Sequence, residues 1–214
     1  AITVDHISGG RLELGLGTGL MIDPGTEMIG LPNWSNGERA ERFGEYLELI
    51  GLLLEQDVTT YTGDHYTAVG AVMNPSSLQR PRVPLVAAAL GPKMMAHASR
   101  LADTWNTMSF DPDFTVQLAE LSSRFDTMDS LCDAAGRDPA TLRRSVNLFD
   151  AAARSSGGRL RYYDDEDLFV RIVGDLLDIG YTDIGLYYPT DPTQLESFER
   201  IATTLVPQLR SGST

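Results

Sequence analysis

The chain has 214 residues, of which 42% are hydrophobic, and its 30 acidic against 17 basic residues give a formal net charge of −13. This composition supports one globular domain with a buried core and argues against disorder. The negative charge disfavours nucleic acids and anionic membranes, since both bind through clustered cations. We therefore expect no nucleic-acid partner and no membrane partner.

No apolar stretch approaches the roughly 20 residues that a membrane-spanning helix needs. The first residues lack the basic start and apolar run of a secretory signal, and the single cysteine, Cys132, cannot form an internal disulfide. These features predict a cytoplasmic protein. The chain opens without methionine and Ile2 to Ile7 read as the end of a helix, so we also expect a chain cut from a longer protein.

The first elements are a strand, a helix and a hairpin. Arg11 to Gly17 read as a buried strand that ends in the turn-forming Gly17-Thr18-Gly19. From Glu38 to Leu54, apolar residues recur at helical spacing opposite a charged face, which predicts an amphipathic helix. Val58 to Tyr61 and His65 to Val69 flank a Thr-Gly-Asp turn and predict a hairpin inserted outside the main sheet.

The remainder alternates short strands with longer helices. The predicted strands are Leu85 to Ala89, Thr104 to Met108, Arg144 to Phe149 and Ile184 to Tyr188. The predicted helices are Pro92 to Leu101, Phe114 to Ala135, Glu166 to Ile179 and Pro192 to Leu209, with Gly136 and Gly180 as left-handed residues after two of them. Five strands, each followed by a helix, predict a parallel sheet, either open and doubly wound or part of a barrel.

One segment, Asp5 to Gly19, resembles a stretch of luciferase-like monooxygenases in which a helix ends in Asp-x-Ile-Ser-x-Gly-Arg and the fourth barrel strand follows as Leu-Gly-x-Gly-x-Gly. Other features of that family follow in order: Glu27, Gly30, Arg39, Glu45, Tyr61 to Tyr66, Pro75, Gln79 to Pro84, Ala88 to Pro92, Ala102 to Asn106 and Cys132 to Pro139. The resemblance covers nearly the whole chain. It implies an α/β fold of the (β/α)8 TIM-barrel type, here a partial barrel of about five parallel strands plus the hairpin. Residues 1–214 would then be the C-terminal part of a luciferase-like oxidoreductase domain that lacks the first three β/α units.

Candidate cofactor-binding residues lie where the predicted strands end. Gly17, Thr18 and Gly19 would let backbone amides approach a planar ring, although a tight turn without a ligand is the alternative. Leu90, Gly91, Pro92 and Lys93 would offer helix amides and a cation to a cofactor phosphate, where the alternative is an ordinary helix cap. Many relatives carry Gly-Gly where this chain has Leu90-Gly91. Asn106 and Thr107 would hydrogen-bond the ring or the substrate, with Ser109 beyond them.

Other chemistry-bearing residues receive structural interpretations. Trp105 and Cys132 are expected in the core, and His6, His65 and His97 are interpreted as structural. No cluster has metal-ligand spacing, so no metal is expected. One of Tyr187 and Tyr188 is expected to face the pocket, because side chains alternate along a strand. The only basic cluster, Arg154, Arg159 and Arg161, is expected either to be mobile or to meet an anion.

The resemblance implies an oxidoreductase that transfers a hydride or electrons between a cofactor and a small organic substrate. We favour the deazaflavin coenzyme F420, with FMN as the alternative cofactor. The competing functions are an FMN-dependent monooxygenase served by a separate flavin reductase, and a non-catalytic nucleotide-binding α/β domain.

The catalytic residues are not identified, because the usual proton donor of the family lies before the matched part. We expect the chain alone to be inactive. Unpaired strand edges also suggest a homo-oligomer.

Overall fold

The structure, a computed structural model, describes residues 1–19 and 24–211. Its helices are α1 (Ile2–Ser8), α2 (Pro24–Met28), α3 (Asn36–Glu55), α4 (Pro92–Leu101), α5 (Phe114–Ala134), α6 (Glu166–Ile179), α7 (Leu195–Arg200) and α8 (Val206–Ser211). Its strands are β1 (Leu14–Leu16), β2 (Thr59–Thr62), β3 (Thr67–Ala71), β4 (Leu85–Ala88), β5 (Thr104–Thr107), β6 (Arg143–Asn147) and β7 (Asp183–Gly185). Short 3₁₀ turns occupy Pro139–Thr141, Ala151–Arg154, Arg161–Tyr163 and Pro192–Gln194, and a π-helical segment occupies Ile201–Leu205.

The five predicted parallel strands form one sheet in the order β1-β4-β5-β6-β7. Leu14 pairs with Leu85, Val86 with Thr104 and Val146 with Ile184, and the β1·β4, β4·β5 and β6·β7 pairs are each parallel. The predicted α/β fold with a parallel sheet is therefore confirmed. The strands are shorter than predicted, because the apolar run continues into the connecting segments after the ladder hydrogen bonds have ended.

The hairpin is confirmed as a separate element. Strands β2 and β3 pair antiparallel in a sheet of their own, with a register shift between Thr59 and Tyr61. The carboxylate of Glu45 on α3 accepts hydrogen bonds from the amides of Asp64, His65 and Tyr66. A single side chain of α3 thus fixes the turn of the hairpin.

The described chain forms two compact units, residues 1–106 with 128–143 and residues 107–127 with 144–211. Helix α5 contributes its first turns to the second unit and its last turns to the first. The expectation of one domain over 1–214 stays a prediction. Throughout the described residues, no helix is both long and apolar enough to span a bilayer.

The sheet of the first unit has one covered and one open face. Leu85, Ala87 and Trp105 are fully buried on one face, whereas Gly15 and Ala88 on the other are exposed. Strand alternation separates these sets. The covered face follows from burial of Leu and Trp against helices, and the open face carries small residues.

Helices α3 and α4 pack closely in this unit. Ser35 caps α3 by accepting a hydrogen bond from the amide of Glu38. A methyl group added at Gly44 would lie 2.3 Å from the ring of His97, so the close approach of the two helices requires glycine there. Helix α3 is therefore a central packing element of the first unit, and its side chains Phe43 and Leu47 are buried.

The second unit is built on α6. Asp165 caps its start and Gly180, at a φ of 115°, ends it in the left-handed conformation that the sequence predicts. Phe169 and Leu176 are fully buried, and the hydroxyl of Tyr181 donates to the carbonyl of Leu121 on α5. Burial raises the pKa of Tyr181, which therefore stays a neutral donor.

The C-terminal helix differs from the prediction. Instead of one helix from Pro192 to Leu209, a 3₁₀ turn leads into α7, the π-helical segment and α8. Pro207 explains the break, because it has no N–H to donate to the carbonyl four residues earlier, at Thr203. The wider π turn just before it accommodates the missing bond.

Candidate functional site

In the first unit, the carboxyl ends of β1, β4 and β5 lie at one end of the sheet because the strands are parallel. A methyl group added at Gly17 would lie 3.5 Å from the Cβ of Ala88, so the glycine loop after β1 is next to the end of β4. The amide of Ala89 donates to the carbonyl of Asn106, which joins the end of β4 to the end of β5. The structure thus brings Gly17, Leu90 to Lys93 and Asn106 to one end of this unit.

Arg39 of α3 holds the glycine loop. Its side chain is 6% exposed, and it donates to the carbonyl of Thr18 at 3.0 Å, to the carbonyl of Trp34 at 3.0 Å and to the amide oxygen of Asn33 at 2.6 Å. Arg39 belongs to the residues that resemble the family pattern, but the sequence alone predicts no role for it. The available signal was its position on the same helical stripe as the buried Phe43 and Leu47.

The segment after β4 forms the amino end of α4. Gly91 is the N-cap and makes no side-chain cap hydrogen bond, and Pro92 occupies the first turn as predicted. The ammonium of Lys93 is 3.7 Å from the carboxylate of Glu41 on α3, and both side chains are more than 60% exposed. Leu90 is 38% exposed. The first-turn amides of α4 therefore face no capping side chain, and Lys93 is held only by a solvent-exposed ion pair, which is weak.

The end of β5 divides its side chains between the two faces. Trp105 is fully buried as predicted, and its indole nitrogen donates to the carbonyl of Ala89. Asn106 is half-buried and alternates to the opposite, open face. Thr107 is 1% exposed, falls on the Trp105 side by alternation, and its hydroxyl has no partner among the described residues. The alternation favours Asn106 over Thr107 as a residue that reaches a ligand.

Comparison with known proteins decides the family. A sequence model described as luciferase-like monooxygenase matches residues 1–200. The chain belongs to this family.

Several proteins similar to this chain are named as oxidoreductases. The chain is 29% identical over 153 residues to the F420-dependent hydroxymycolic acid dehydrogenase of Mycobacterium tuberculosis, covering 69% of this chain and 39% of that protein. It is 25% identical over 264 residues to the 5,10-methylenetetrahydromethanopterin reductase of Archaeoglobus fulgidus, covering 97% of this chain and 76% of that protein. The solved structure of the coenzyme F420-dependent tetrahydromethanopterin reductase of Methanopyrus kandleri matches with a TM-score of 0.72 and 18% identity, covering 97% of this chain and 77% of that one.

These likenesses show the fold, and the predicted family is confirmed. The chain spans less than half the length of the mycobacterial relative and about three quarters of the archaeal one. The activity, substrate and partners of the whole protein are therefore matters for proposal.

The three histidines of this family member make structural contacts. The Nε2 atom of His6 lies 2.9 Å from the carbonyl oxygen of Ser76, and the backbone of His65 is fixed by Glu45. His97 packs against Gly44, and burial together with the nearby Arg100 guanidinium lowers its pKa. Cys132 is buried in α5, as predicted. Within residues 1–19 and 24–211, no group of three or more His, Cys, Asp or Glu is placed to hold a metal ion.

The strand ends of the second unit carry aromatic side chains instead of glycines. Phe149 follows β6 and contacts Phe110 and Tyr187 through edge-on rings, at centroid distances of 5.4 and 5.9 Å. Tyr187 and Tyr188 both line a cavity of about 270 Å³, although alternation predicted that only one would face a pocket. The backbone has left the regular strand at Gly185, so strict alternation no longer applies to the two tyrosines.

Ser109 and two of the clustered arginines are engaged inside the second unit. Ser109 donates to the carboxylate of Glu120 and is buried. Arg159 pairs with Asp164 and Asp191, and Arg161 pairs with the fully buried carboxylate of Asp150. Hydrogen bonds from these guanidiniums to their carboxylates raise the pKa of Arg159 and of Arg161. Neither guanidinium is available to an anion without breaking these pairs.

Proposed function

We propose that the chain is the cofactor-binding part of an oxidoreductase that uses the deazaflavin coenzyme F420 to transfer a hydride to or from a small organic substrate. The main observation in support is the open end of the first unit's sheet, which is bordered by glycines and where Gly17, Gly91 and Asn106 lie. The mycobacterial relative and the Methanopyrus kandleri structure both carry F420 in their names, which supports F420 over FMN. The family description keeps FMN-dependent monooxygenation as the second candidate.

The residues present fit a flat ring with an anionic side chain. A methyl group added at Gly15 or Gly91 would meet no atom within 4 Å, so the surface beside both residues is open. The amino end of α4 has no capping side chain, and amides at a helix amino terminus attract anions. A flat ring against the glycines and a phosphate against α4 would use both features.

The described residues bind and orient. Gly17 and Gly19 allow close approach of the backbone to the ring edge, and Arg39 keeps that backbone in place from behind. Asn106 offers amide groups on the open face, where they would hydrogen-bond the ring or the substrate. When bound and reduced, the cofactor supplies a hydride, and the protein sets its distance and angle to the acceptor. No described residue is assigned the proton-transfer role.

A titration tests the proposal. We expect the chain to bind F420 more tightly than FMN, and Gly17→Val to weaken F420 binding by about tenfold, because the isopropyl group fills the open face without requiring a positive φ. Gly174→Val on α6, where an added methyl group meets nothing within 4 Å, is the matched control and should leave the affinity unchanged. Equal affinity of wild type and Gly17→Val would remove the glycine loop from the site. Tighter binding of FMN would favour the monooxygenase function instead, and absence of binding by either cofactor would contradict both.

A further inference from the structure

We propose that the cavity at the strand ends of the second unit binds a planar organic carboxylate, with Arg154 as its anion-binding residue and aromatic rings as its walls. The inference deepens the proposed function, since it gives the substrate class, and it rests on that function only for calling the ligand a substrate. The cavity and its lining side chains are present whether or not the chain binds F420.

The walls of the cavity are aromatic. Phe149, Tyr187 and Tyr188 line it, and the tyrosines are 38% and 66% exposed. Tyr188 is braced by Phe198 of α7, at a centroid distance of 5.2 Å. Large exposed rings at the end of a parallel sheet are costly in water unless a ligand covers them, and they favour flat ligands that stack or meet them edge-on.

Part of the cavity lining is formed by a tightly hydrogen-bonded turn after β6. Ala153 and Leu160 are buried lining residues, and the amide of Gly158 donates to the carbonyl of Ala153 at 2.7 Å. Gly158 has a φ of 90°, and a methyl group added there would collide with the hydroxyl of Thr190. The loop that carries Arg154 is therefore closed tightly against the segment after β7, which defines the width of the cavity.

Arg154 supplies the positive charge. Its guanidinium lies 5.7 Å from the ring centroid of Phe149, and its side chain has no ion pair or hydrogen bond to any residue that the structure describes. This distinguishes it from Arg159 and Arg161, which are engaged by carboxylates. A guanidinium over one ring of an aromatic wall can bind a carboxylate through two parallel N–H groups while the ring of the ligand lies against the neighbouring tyrosines.

One acidic group lines the same cavity, and it is already neutralised. Both carboxylate oxygens of Asp150 accept from Arg161, and the amides of Ala152 and Arg161 also donate to it. The side chain of Asp150 is 0% exposed. Its charge therefore offers little repulsion to an incoming anion, and the charge of Arg154 dominates at the surface of the cavity.

The cavity volume limits the size of the ligand. About 270 Å³ accommodates one or two fused rings, and it is below the usual range for a whole cofactor. A small aromatic acid fits both the volume and the charge. A phosphorylated nucleotide does not fit this volume.

Fluorine-NMR titrations of the chain, without cofactor, test the inference with three fluorinated probes: naphthoate, neutral naphthamide and the saturated, non-planar decalin carboxylate. We expect naphthoate to bind about tenfold more tightly than naphthamide, the size of one charge-assisted interaction, and decalin carboxylate to bind more weakly than naphthoate. Arg154→Gln should remove the preference for the acid, and Arg154→Lys should restore part of it. Tyr188→Leu should weaken naphthoate and naphthamide alike.

Arg171→Gln is the matched control, because Arg171 is an exposed arginine of the same unit on α6. It should bind naphthoate as the wild type does. Equal affinity for acid and amide in the wild type, or the same loss in Arg171→Gln as in Arg154→Gln, would overturn the proposal. Naphthoate binding by a chain that binds no F420 would keep the anion site but refute its assignment to a substrate, which separates the two failures.

Discussion

The strand ends of the two units present different chemical groups to a ligand in the sites that we propose. In the first unit they carry glycines and backbone amides, and the side chain that matters most, Arg39, lies behind the loop. In the second unit they carry aromatic rings and the guanidinium of Arg154, which has no ion pair within residues 1–19 and 24–211. Backbone groups cannot be exchanged by mutation, whereas rings and charges can.

This difference suggests a division of roles. A binding surface made from backbone suits a ligand that never changes, such as a cofactor, because its geometry depends on φ and ψ and on few side chains. A surface made from side chains suits a ligand that varies between family members, which is how substrates are distinguished on a common fold. We therefore expect mutations in the two units to affect different ligands.

We expect the strongest loss of stability and of F420 affinity from Arg39→Met. The substitution keeps the apolar stem but leaves the carbonyls of Thr18 and Trp34 without their donor, and we expect it to reduce the free energy of unfolding by about 2 kcal/mol. F420 affinity should fall about tenfold, since the freed glycine loop must be ordered on binding. Naphthoate affinity should not change. Denaturant unfolding and the two titrations measure these quantities.

Arg11→Met provides the control for Arg39→Met. Arg11 is exposed in the same unit, and its side chain has no hydrogen bond to the described residues. It should leave stability and both affinities unchanged. If Arg39→Met lowered the affinities for F420 and naphthoate equally, the separation of roles between the units would be wrong.

The strands of both units could be predicted from the sequence, whereas the aromatic cavity beside Arg154 in the second unit could not. The positions of the strands and of the hairpin follow from periodicity, because a buried parallel strand leaves a short apolar run and a glycine turn, as at Leu14 to Gly17. The order of the strands is predicted only by the family resemblance, since periodicity leaves both an open sheet and a barrel. The break at Pro207 could also have been read from the sequence, since proline inside a helix removes a hydrogen bond.

The contacts that set the candidate sites depend on tertiary pairing. Arg154, Arg159 and Arg161 form one cluster in the sequence, and only the positions of Asp150, Asp164 and Asp191 show which guanidinium is unpaired. These aspartates are up to 32 residues away along the chain, so spacing gives no signal. The clamp by Arg39 on Thr18, 21 residues away, was hidden for the same reason.

The two units also differ in how they stabilise a buried aspartate, and acid unfolding can measure this difference. Asp150 in the second unit is paired with a guanidinium, whereas Asp5 in the first accepts only from neutral donors, the amides of Leu78 and Gln79 and the side-chain amide of Gln79. Burial disfavours the charged form of Asp5, but these hydrogen bonds outweigh it, and the pKa of the Asp5 carboxyl is lowered below its ordinary value. A lowered folded-state pKa gives stability that is present above the unfolded-state pKa and is lost as pH falls through the folded-state one.

Asp5→Asn should therefore destabilise the chain at neutral pH, because the NH₂ group of asparagine cannot accept the hydrogen bonds of the carboxylate oxygen that it replaces. The difference in unfolding free energy between wild type and variant should narrow below about pH 4, as the wild-type carboxyl is protonated. Denaturant unfolding at a series of pH values measures it. Asp57→Asn, at an exposed position of the same unit, is the control and should follow the wild type throughout. A difference that stays constant down to pH 2 would show that the carboxylate charge of Asp5 contributes nothing.

We expect the weakest change in F420 affinity from substitutions at Lys93, the single lysine of the chain. This change measures how far cofactor binding in the first unit depends on backbone groups. The ammonium is 68% exposed and only 3.7 Å from the Glu41 carboxylate, so its attraction for a cofactor anion is screened by water and opposed by Glu41. Lys93→Ala should weaken F420 binding by about threefold at low salt and leave unfolding unchanged. Glu41→Gln should strengthen binding by a similar small factor, because it removes the competing charge.

Both effects of changing this ion pair should fade as ionic strength rises, whereas the effect of Gly17→Val should persist. Amine-selective labelling gives a second readout, since Lys93 is the only side-chain amine, and bound F420 should slow its modification. Unchanged affinity in Lys93→Ala together with unprotected labelling would remove Lys93 from the anion site and leave the amides of α4 to bind the cofactor phosphate alone. A loss as large as that of Gly17→Val would instead show that the first unit also depends on a side-chain charge, and the contrast between the two units would then lie only in the aromatic walls of the second.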